Sequence, residues 1–347
     1  MPSRRRHTHP IVPVSILRFI SALVVVAVAS CSRGAQDQAG RRFTDLSAPS
    51  LSILSTDRLM SSDVDDALLV GTNIVFLQAT DARVTAVNGA SGRVAWMFGA
   101  RGAGPGEFAA PSGLFGRIGG GVGVVDPRQG RITLLTSTGE LDGSISGTLL
   151  DREPHNVCDA GATGLLAIRL PRFDIVRATF EGEVLVQDSL VWPDERMNHV
   201  MQLQQGLFAR SRGGRCVVFA VRGDFWAEFD VLTTKPKGFF RYLETFEFPK
   251  IVKQRNGFSV LEDSRTSATY AAVSGDHLFV LTGGDDATKG RIIDVYALAD
   301  GAYHHSIRLP RPAYEIDVDG NRLLVLERTD DGARLDLYPL PSTSGRR

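Results

Sequence analysis

Three cysteines offer the most distinctive side-chain chemistry in this chain of 347 residues. Cys31 follows the small residues Ala29 and Ser30 at the end of an apolar run. Cys158 and Cys216 lie in apolar, strand-like stretches. An oxidising compartment would permit a disulfide between them. Their apolar neighbours favour the alternative, in which each is a separate buried thiol.

A second candidate for function is the segment from Leu243 to Arg265, which is rich in aromatic and basic residues. Its basic residues Lys250, Lys253 and Arg255 follow several phenylalanines. Most aromatic side chains of this region are predicted to lie in the core. The alternative is that this segment, together with Lys235 and Lys237, forms an exposed surface that binds a protein, a peptide or an anionic glycan.

The sequence assigns no catalytic residue, no metal ligand and no cofactor. The histidines beyond Cys31 show no His-x-x-x-His spacing. They are His155, His199, His277, His304 and His305. The run from Asp317 to Asn321 lacks the twelve-residue pattern of a calcium loop and reads as a hairpin turn. The glycine-rich run at 99–106 lacks the Lys-Ser/Thr pair of a phosphate loop, and no Gly-x-Ser-x-Gly elbow precedes a helix.

The N-terminus has the organisation of an export signal. Arg4, Arg5 and Arg6 precede the apolar run Phe19–Ala29, which is short for a membrane span of about 20 residues. The run ends in Val-Ala-Ser-Cys and resembles the bacterial lipoprotein signal. That resemblance implies that residues 1–30 are removed and that Cys31 carries acyl chains, so that a membrane is one partner. Plain secretion and a retained helix are the alternatives.

Location and the start of the fold follow from the residues after Cys31. Cys31 is followed by Ser32, whereas an aspartate at this position would resemble an inner-membrane retention signal. In a host with two membranes, the serine therefore favours the outer membrane, on its periplasmic or surface face. Residues 31–50 are small and polar and are predicted to be a flexible tether. The folded domain is predicted to span 51–341, with 342–347 as a tail.

Composition narrows the class of fold and partner. The chain has 39 basic and 39 acidic residues, and this balance argues against a nucleic-acid partner. Its 36 glycines and 16 prolines, without a collagen period, are typical of many short strands joined by tight turns. Segments of alternating apolar and polar residues recur at about 40 to 55 residues, the interval of propeller blades. The pattern predicts an all-β fold with six four-stranded blades.

One inter-blade connection carries a family resemblance. The stretch Phe98–Phe108 reads FGARGAGPGEF and is followed by Pro111, Gly113 and a strand that ends at Asp126. This pattern resembles an NHL-type propeller repeat. The resemblance implies a six-bladed β-propeller and use as an interaction domain. NHL-like amidating lyases and metal-dependent propeller hydrolases, which place their sites at the central channel, provide the enzymatic alternative.

The last blade lacks one strand in the sequence, because the chain after its third strand is a proline-containing tail. The alternating stretch Leu51–Ser55 is predicted to supply that strand beside Leu335–Tyr338 and so to close the ring. Together these features predict a membrane-anchored, non-enzymatic binding or scaffold lipoprotein of the cell envelope. Its partner would be an envelope protein, peptide or glycan that the sequence does not identify.

Overall fold

A computed structural model confirms the predicted architecture, a six-bladed β-propeller made almost entirely of strands. It describes residues 40–54, 64–146, 149, 154–169, 173–198, 206–211, 213–245, 248–254, 257–260, 265–284, 288–330 and 332–340. The side chains of 154, 155, 254 and 257–259 are not described. Within these ranges no helix has the length and apolar character needed to cross a membrane.

The first three blades are regular four-stranded antiparallel sheets. The innermost strand of each comes first in the chain. Blade one contains β3 (Asp66–Val70), β4 (Asn73–Gln78), β5 (Arg83–Asn88) and β6 (Val94–Phe98). Blade two contains β7 (Gly113–Gly116), β8 (Gly121–Asp126), β9 (Arg131–Thr136) and β10 (Leu141–Ile145). Blade three contains β11 (Pro154–Asp159), β12 (Leu165–Arg169), β13 (Asp174–Ala178) and β14 (Val184–Ser189).

Blades four to six follow the same plan with additions. A short helix, α1 (Glu195–Asn198), precedes blade four, and a hairpin, β19 (Ile251–Gln254) and β20 (Gly257–Val260), lies between blades four and five. Blade four contains β15 (Gly206–Phe208), β16 (Cys216–Ala220), β17 (Phe225–Phe229) and β18 (Phe240–Arg241). Blade five contains β21 (Ala268–Ser274), β22 (His277–Thr282), β23 (Ile292–Ala297) and β24 (Tyr303–Arg308). Blade six contains β25 (Glu315–Asp319), β26 (Arg322–Thr329) and β27 (Gly332–Pro339).

The hydrophobic core lies between neighbouring blades. The inner and middle strands are buried on both faces, as in β3 and β4, whereas the outermost strand β6 of blade one is largely exposed. One apolar cluster joins Leu68 and Val84 of blade one to Leu114 and Val122 of blade two. Burial of such side chains stabilises the fold by roughly 25 cal/mol per Å² of apolar surface. Each blade is therefore held mainly by its neighbours.

The N-terminal strand closes the ring as the sequence predicts. β2 (Leu51–Leu54) pairs antiparallel with β27, with Leu51 opposite Leu337 and Ile53 opposite Leu335. Ile53 is buried among residues of blades one and six. The free edge that blade six would otherwise expose is therefore paired with a strand from the other end of the domain.

The predicted tether ends too late in the chain, because its last residues belong to the propeller. β1 (Phe43–Asp45) adds a fifth strand to blade five by pairing in parallel with β24. The preceding Arg41 is buried and bonds to Asp294 of blade five and to Glu244. The folded unit thus begins before the predicted boundary at residue 51.

Cys158 and Cys216 form a disulfide, with the two Cα atoms 5.8 Å apart. The expectation of separate thiols was wrong. Cys158 lies on β11, the innermost strand of blade three, and Cys216 lies on β16 of blade four. The apolar surroundings that suggested free cysteines are the core cluster between these two blades, and a disulfide fits there equally well. The bond covalently joins two adjacent blades.

Candidate functional site

The innermost strands meet at the axis, where polar side chains of one blade accept hydrogen bonds from the backbone of the next. Asp66 Oδ2 of blade one accepts from Leu114 N–H of blade two at 2.6 Å. Asn156 Oδ1 of blade three accepts from Phe208 N–H of blade four at 2.5 Å. In the described part of the chain, no further strand lies on the axial side of the innermost strands. These side chains therefore satisfy backbone donors that would otherwise be buried without partners.

Blade six repeats the arrangement with two carboxylates. Glu315 Oε1 accepts from Ala67 N–H at 3.0 Å, and Asp317 Oδ2 accepts from Leu69 N–H at 2.6 Å. Both carboxylates are buried. The run that contains Asp317 forms the start of a hairpin, as predicted, and not a calcium loop. Its acidic residue has a structural use that the sequence pattern did not reveal.

Arg210 is inserted among these carboxylates from blade four. Its Nη2 bonds to Asp66, to the Tyr270 hydroxyl and, at 2.7 Å, to Glu315, while its Nη1 donates to Leu114 O at 2.7 Å. One buried side chain therefore contacts four other blades. A guanidinium with several planar N–H donors suits this role better than an ammonium would. We call Arg210, Asp66, Glu315 and Tyr270 the axial cluster.

The electrostatics of the axial cluster reflect its burial. Burial disfavours the charged form of Arg210, yet the carboxylates around it, Asp66 first, raise its pKa above the ordinary value. Burial and the neighbouring charge of Asp66 raise the pKa of Glu315 well above its usual range. Burial likewise raises the pKa of Tyr270. The cluster therefore combines a permanent cation with a carboxyl group that resists ionisation.

A cavity of about 180 Å³ lies beside this cluster at the face where the innermost strands begin, here called the entry face. One side of the cavity is acidic and comes from blades one and six, with Asp65, Asp66 and Glu315. Blades two and three also line the cavity, where the side chains of Leu114, Phe115, Val125 and Val157 are buried in the core clusters between blades.

The deep end of the cavity holds buried polar atoms without partners. A second, water-sized space shares Leu114, Asn156 and Tyr270 with the larger cavity and is also lined by Arg210 and Ser211. Among the described residues, neither Arg210 Nε nor Ser211 Oγ has a hydrogen-bond partner. Both residues are more than nine-tenths buried. Unpaired buried donors of this kind require a partner such as water or a ligand atom.

The predicted basic surface lies on the β19–β20 hairpin. Phe248, Ile251 and Val260 pack against the core cluster of blades three and four. The Arg196 guanidinium of α1 lies 4.1 Å from the centre of the Phe248 ring. The hairpin is thus fixed to the connection between blades three and four. Both connections run into innermost strands, which places them on the entry face.

The structure places two of the three predicted basic residues in solvent. Lys250 and Lys253 are exposed, and neither forms a salt bridge among the described residues. Arg255 lies outside the described residues. Lys235 and Lys237 on the β17–β18 connection differ, because they pair with Asp188 and Glu228. The aromatic residues of blade four are mostly core, as predicted, with Phe225, Trp226, Phe229 and Tyr242 buried.

The remaining predicted residues give no second site. Cys31 and His199 lie outside the described part, as does the side chain of His155. His277 and His304 stack edge to face in blade five with ring centres 4.8 Å apart, and burial lowers the pKa of His277 and of His305. Among the described residues no three His, Cys, Asp or Glu side chains are grouped so that they could hold a metal ion.

The glycine-rich run forms the connection between blades one and two. Its backbone carbonyls accept from neighbouring side chains: Gln129 Nε2 donates to Gly102 O at 2.8 Å and Arg131 Nη2 donates to Gly104 O at 3.2 Å. Gly99 needs to be glycine, since its φ is +98° and a Cβ atom would overlap the buried Phe108 ring. The prediction of a structural connection between blades one and two is confirmed.

Comparisons with known proteins support the fold alone. No protein-family model and no curated protein sequence matches this chain. Among solved structures, virginiamycin B lyase from Staphylococcus aureus is similar with a TM-score of 0.50 and 10% identity, covering 84% of this chain and 99% of that one. A candidate exported protein from Bacteroides fragilis is similar with a TM-score of 0.51 and 10% identity, covering 81% and 91% of the two chains.

Proposed function

We propose that this chain is a lipid-anchored, non-enzymatic binding protein of the cell envelope, whose entry face binds an acidic protein, peptide or glycan. The observation that carries the proposal is the β19–β20 hairpin. It interrupts the blade repeat, its apolar residues are fixed on the core, and its lysines Lys250 and Lys253 are exposed without salt-bridge partners among the described residues. Unpaired cations on a rigid support attract an acidic partner and accelerate its association.

The anchor in this proposal is Cys31, on the strength of the small residues that precede it and the short apolar run before them. Two acyl chains are enough to hold a protein stably on a membrane. The folded unit begins at about residue 40, so that only a short segment separates the anchor from the propeller. The NHL-type resemblance of the first inter-blade connection agrees with use as an interaction domain.

The axial cluster supports binding over the enzymatic alternative. A lyase or a metal-dependent hydrolase would place its reacting groups at the central channel. Here the carboxylates of Asp66 and Glu315 bond to the Arg210 guanidinium and to backbone N–H groups. They already act in holding the blades together.

Photo-crosslinking in the native host tests the proposed surface. A photoreactive residue at Val252, between the two lysines, is expected to give one defined adduct, and Lys250→Glu together with Lys253→Glu is expected to remove it. The matched control is Arg128→Glu with Lys289→Glu, which makes the same change of net charge at exposed residues outside the hairpin. An adduct that both double variants abolish alike, or no adduct at Val252, would contradict the proposal.

Metabolic labelling with a fatty acid tests the anchor separately. The native chain is expected to carry the label and to sediment with membranes, and Cys31→Ala is expected to lose the label. Label that persists in Cys31→Ala would show that the lipid is attached elsewhere, and a native chain without label would show that it carries no lipid anchor.

A further inference from the structure

We propose that the axial cavity binds a neutral, hydroxylated molecule, a free sugar of the size of a monosaccharide. This site is separate from the hairpin surface, and it does not depend on the function proposed for that surface. The atoms that face the cavity are mostly polar. The inference starts from the hydrogen-bonding groups that its lining residues leave without partners.

The deep end of the cavity requires a hydrogen-bond acceptor. Arg210 Nε and Ser211 Oγ are buried and have no partner among the described residues. Asn156 adds another donor, because its Oδ1 accepts from Phe208 N–H and its Nδ2 bonds to none of the described residues. The guanidinium and amide nitrogens only donate, so that a ligand at this end must present an oxygen with free lone pairs.

The charges around the deep end favour a neutral acceptor. The positive charge of Arg210 is already opposed by Asp66 and by Asp317. A carboxylate or phosphate beside Arg210 Nε would therefore also meet these two acids, and like charges repel. A hydroxyl oxygen accepts from the same donors without that repulsion. The space beside them holds about one water, so that it admits a single hydroxyl group.

The outer part of the cavity requires the opposite partner, a hydrogen-bond donor. Asp65 is exposed there, and its Oδ2 accepts from Ala79 N–H, while its Oδ1 bonds to none of the described residues. A carboxylate oxygen accepts strongly from O–H groups. A molecule with several hydroxyl groups matches both ends of the cavity, because each hydroxyl can donate as well as accept.

The volume of the cavity indicates the size of the molecule. About 180 Å³ corresponds to roughly six waters at about 30 Å³ each. The ring and hydroxyl oxygens of a monosaccharide can take the places of such waters. An apolar body would gain little here, because the apolar side chains around the cavity are buried in the core clusters between blades.

Titration of the purified full chain with the D-aldohexoses, followed by NMR, tests the proposal. At least one of these sugars is expected to bind in the millimolar range or tighter and to shift the side-chain N–H signals of Arg210 Nε and Asn156 Nδ2. The uronate of the best-binding sugar should bind at least about tenfold more weakly, because its carboxylate meets acidic residues at either end of the cavity. Cyclohexanol, which has a ring of the same size and one hydroxyl group, should also bind at least about tenfold more weakly.

A matched pair of buried serines provides the variants. Ser211 and Ser267 each have a buried hydroxyl group without a partner among the described residues, but only Ser211 lines the cavity. Ser211→Ala should weaken the best-binding sugar about threefold to tenfold without lowering resistance to urea, because no hydrogen bond within the protein is lost. Ser267→Ala should leave the affinity unchanged. The proposal would be overturned if no aldohexose bound, if the uronate or cyclohexanol bound equally well, or if the two variants had equal effects on affinity.

Discussion

Arg210 is the side chain on which the centre of the propeller depends. It bonds to groups of four blades other than its own and neutralises carboxylates that are themselves buried. A buried ion pair adds little net stability compared with an apolar replacement, but removal of one partner leaves an uncompensated charge in the interior. Arg210→Met should therefore lower the free energy of unfolding by about 3–5 kcal/mol, as measured by urea denaturation at neutral pH.

The loss of stability in Arg210→Met is expected to depend on pH. Without the guanidinium, the folded-state pKa of Glu315 rises further above its usual 4.5, because no cation then opposes the effects of burial and of the Asp66 charge on that pKa. A raised carboxyl pKa contributes stability that is present at low pH and lost as the pH rises. The deficit of Arg210→Met should thus shrink as the pH falls from neutrality towards 4.5.

Arg241→Met is the control for this prediction, since Arg241 pairs with Asp224 at an exposed position. Its loss should be about 1 kcal/mol or less. A triple variant that adds Asp66→Asn and Glu315→Gln to Arg210→Met should recover part of the lost stability. If Arg210→Met is no more costly than Arg241→Met, the axial cluster does not hold the blades together.

At the scale of strands and blades, the disulfide joins two neighbours that also share a core cluster. Cys158 and Cys216 are 58 residues apart, and closing a loop of that length in the unfolded chain is worth roughly 4 kcal/mol in the chain-entropy model. Cys158→Ser with Cys216→Ser should lower the free energy of unfolding by about 2–4 kcal/mol. Reductant should destabilise the native chain similarly and leave the double variant unaffected. Two thiols that react with maleimide in the unfolded, unreduced chain would contradict the bond.

The sequence predicted those strands that are marked by a pattern in neighbouring residues. Blade one is an example: its four strands are short runs separated by turn residues, which is the pattern from which the sequence predicts blades. β1 escaped prediction because it has only three residues and its partner β24 is about 260 residues away. The β19–β20 hairpin lies in the segment from Leu243 to Arg265, which the sequence singled out only by its aromatic and basic residues, since a hairpin outside the repeat leaves no periodic pattern.

The axial site escaped prediction for a different reason. Asp66 and Glu315 stand at the starts of β3 and β25, and acidic residues at the starts of strands also occur in solvent. Arg210 follows a strand of three residues and has no periodic context. These residues are far apart in the sequence, and only the closed ring of six blades brings them together. Polar residues at equivalent starts of several blades, Asp66, Asn156 and Glu315, are the signal that could have indicated the axis.

At the scale of the whole molecule, the pairing of β2 with β27 makes the two ends of the domain a single blade. Ile53 is buried at this closure between blades six and one, and the adjacent Leu54 points to solvent with 36% of its surface exposed. Ile53→Ala should lower the free energy of unfolding by about 2–5 kcal/mol through the cavity it creates. Leu54→Ala, on the same strand, should change it by about 0.5 kcal/mol or less.

Hydrogen exchange shows whether Ile53→Ala destabilises only the blade that β2 completes or the whole ring. If all six blades unfold together, the slowest amides of β12 in blade three should exchange faster in Ile53→Ala by the same factor as those of β26 in blade six. Blade three lies across the ring from the closure, and no local contact would transmit the change. Faster exchange confined to β2, β26 and β27 would instead show that the last blade opens by itself. If the ring loses stability as one unit, the strand β2 that closes it stabilises every blade, because each blade is stable only between two neighbours.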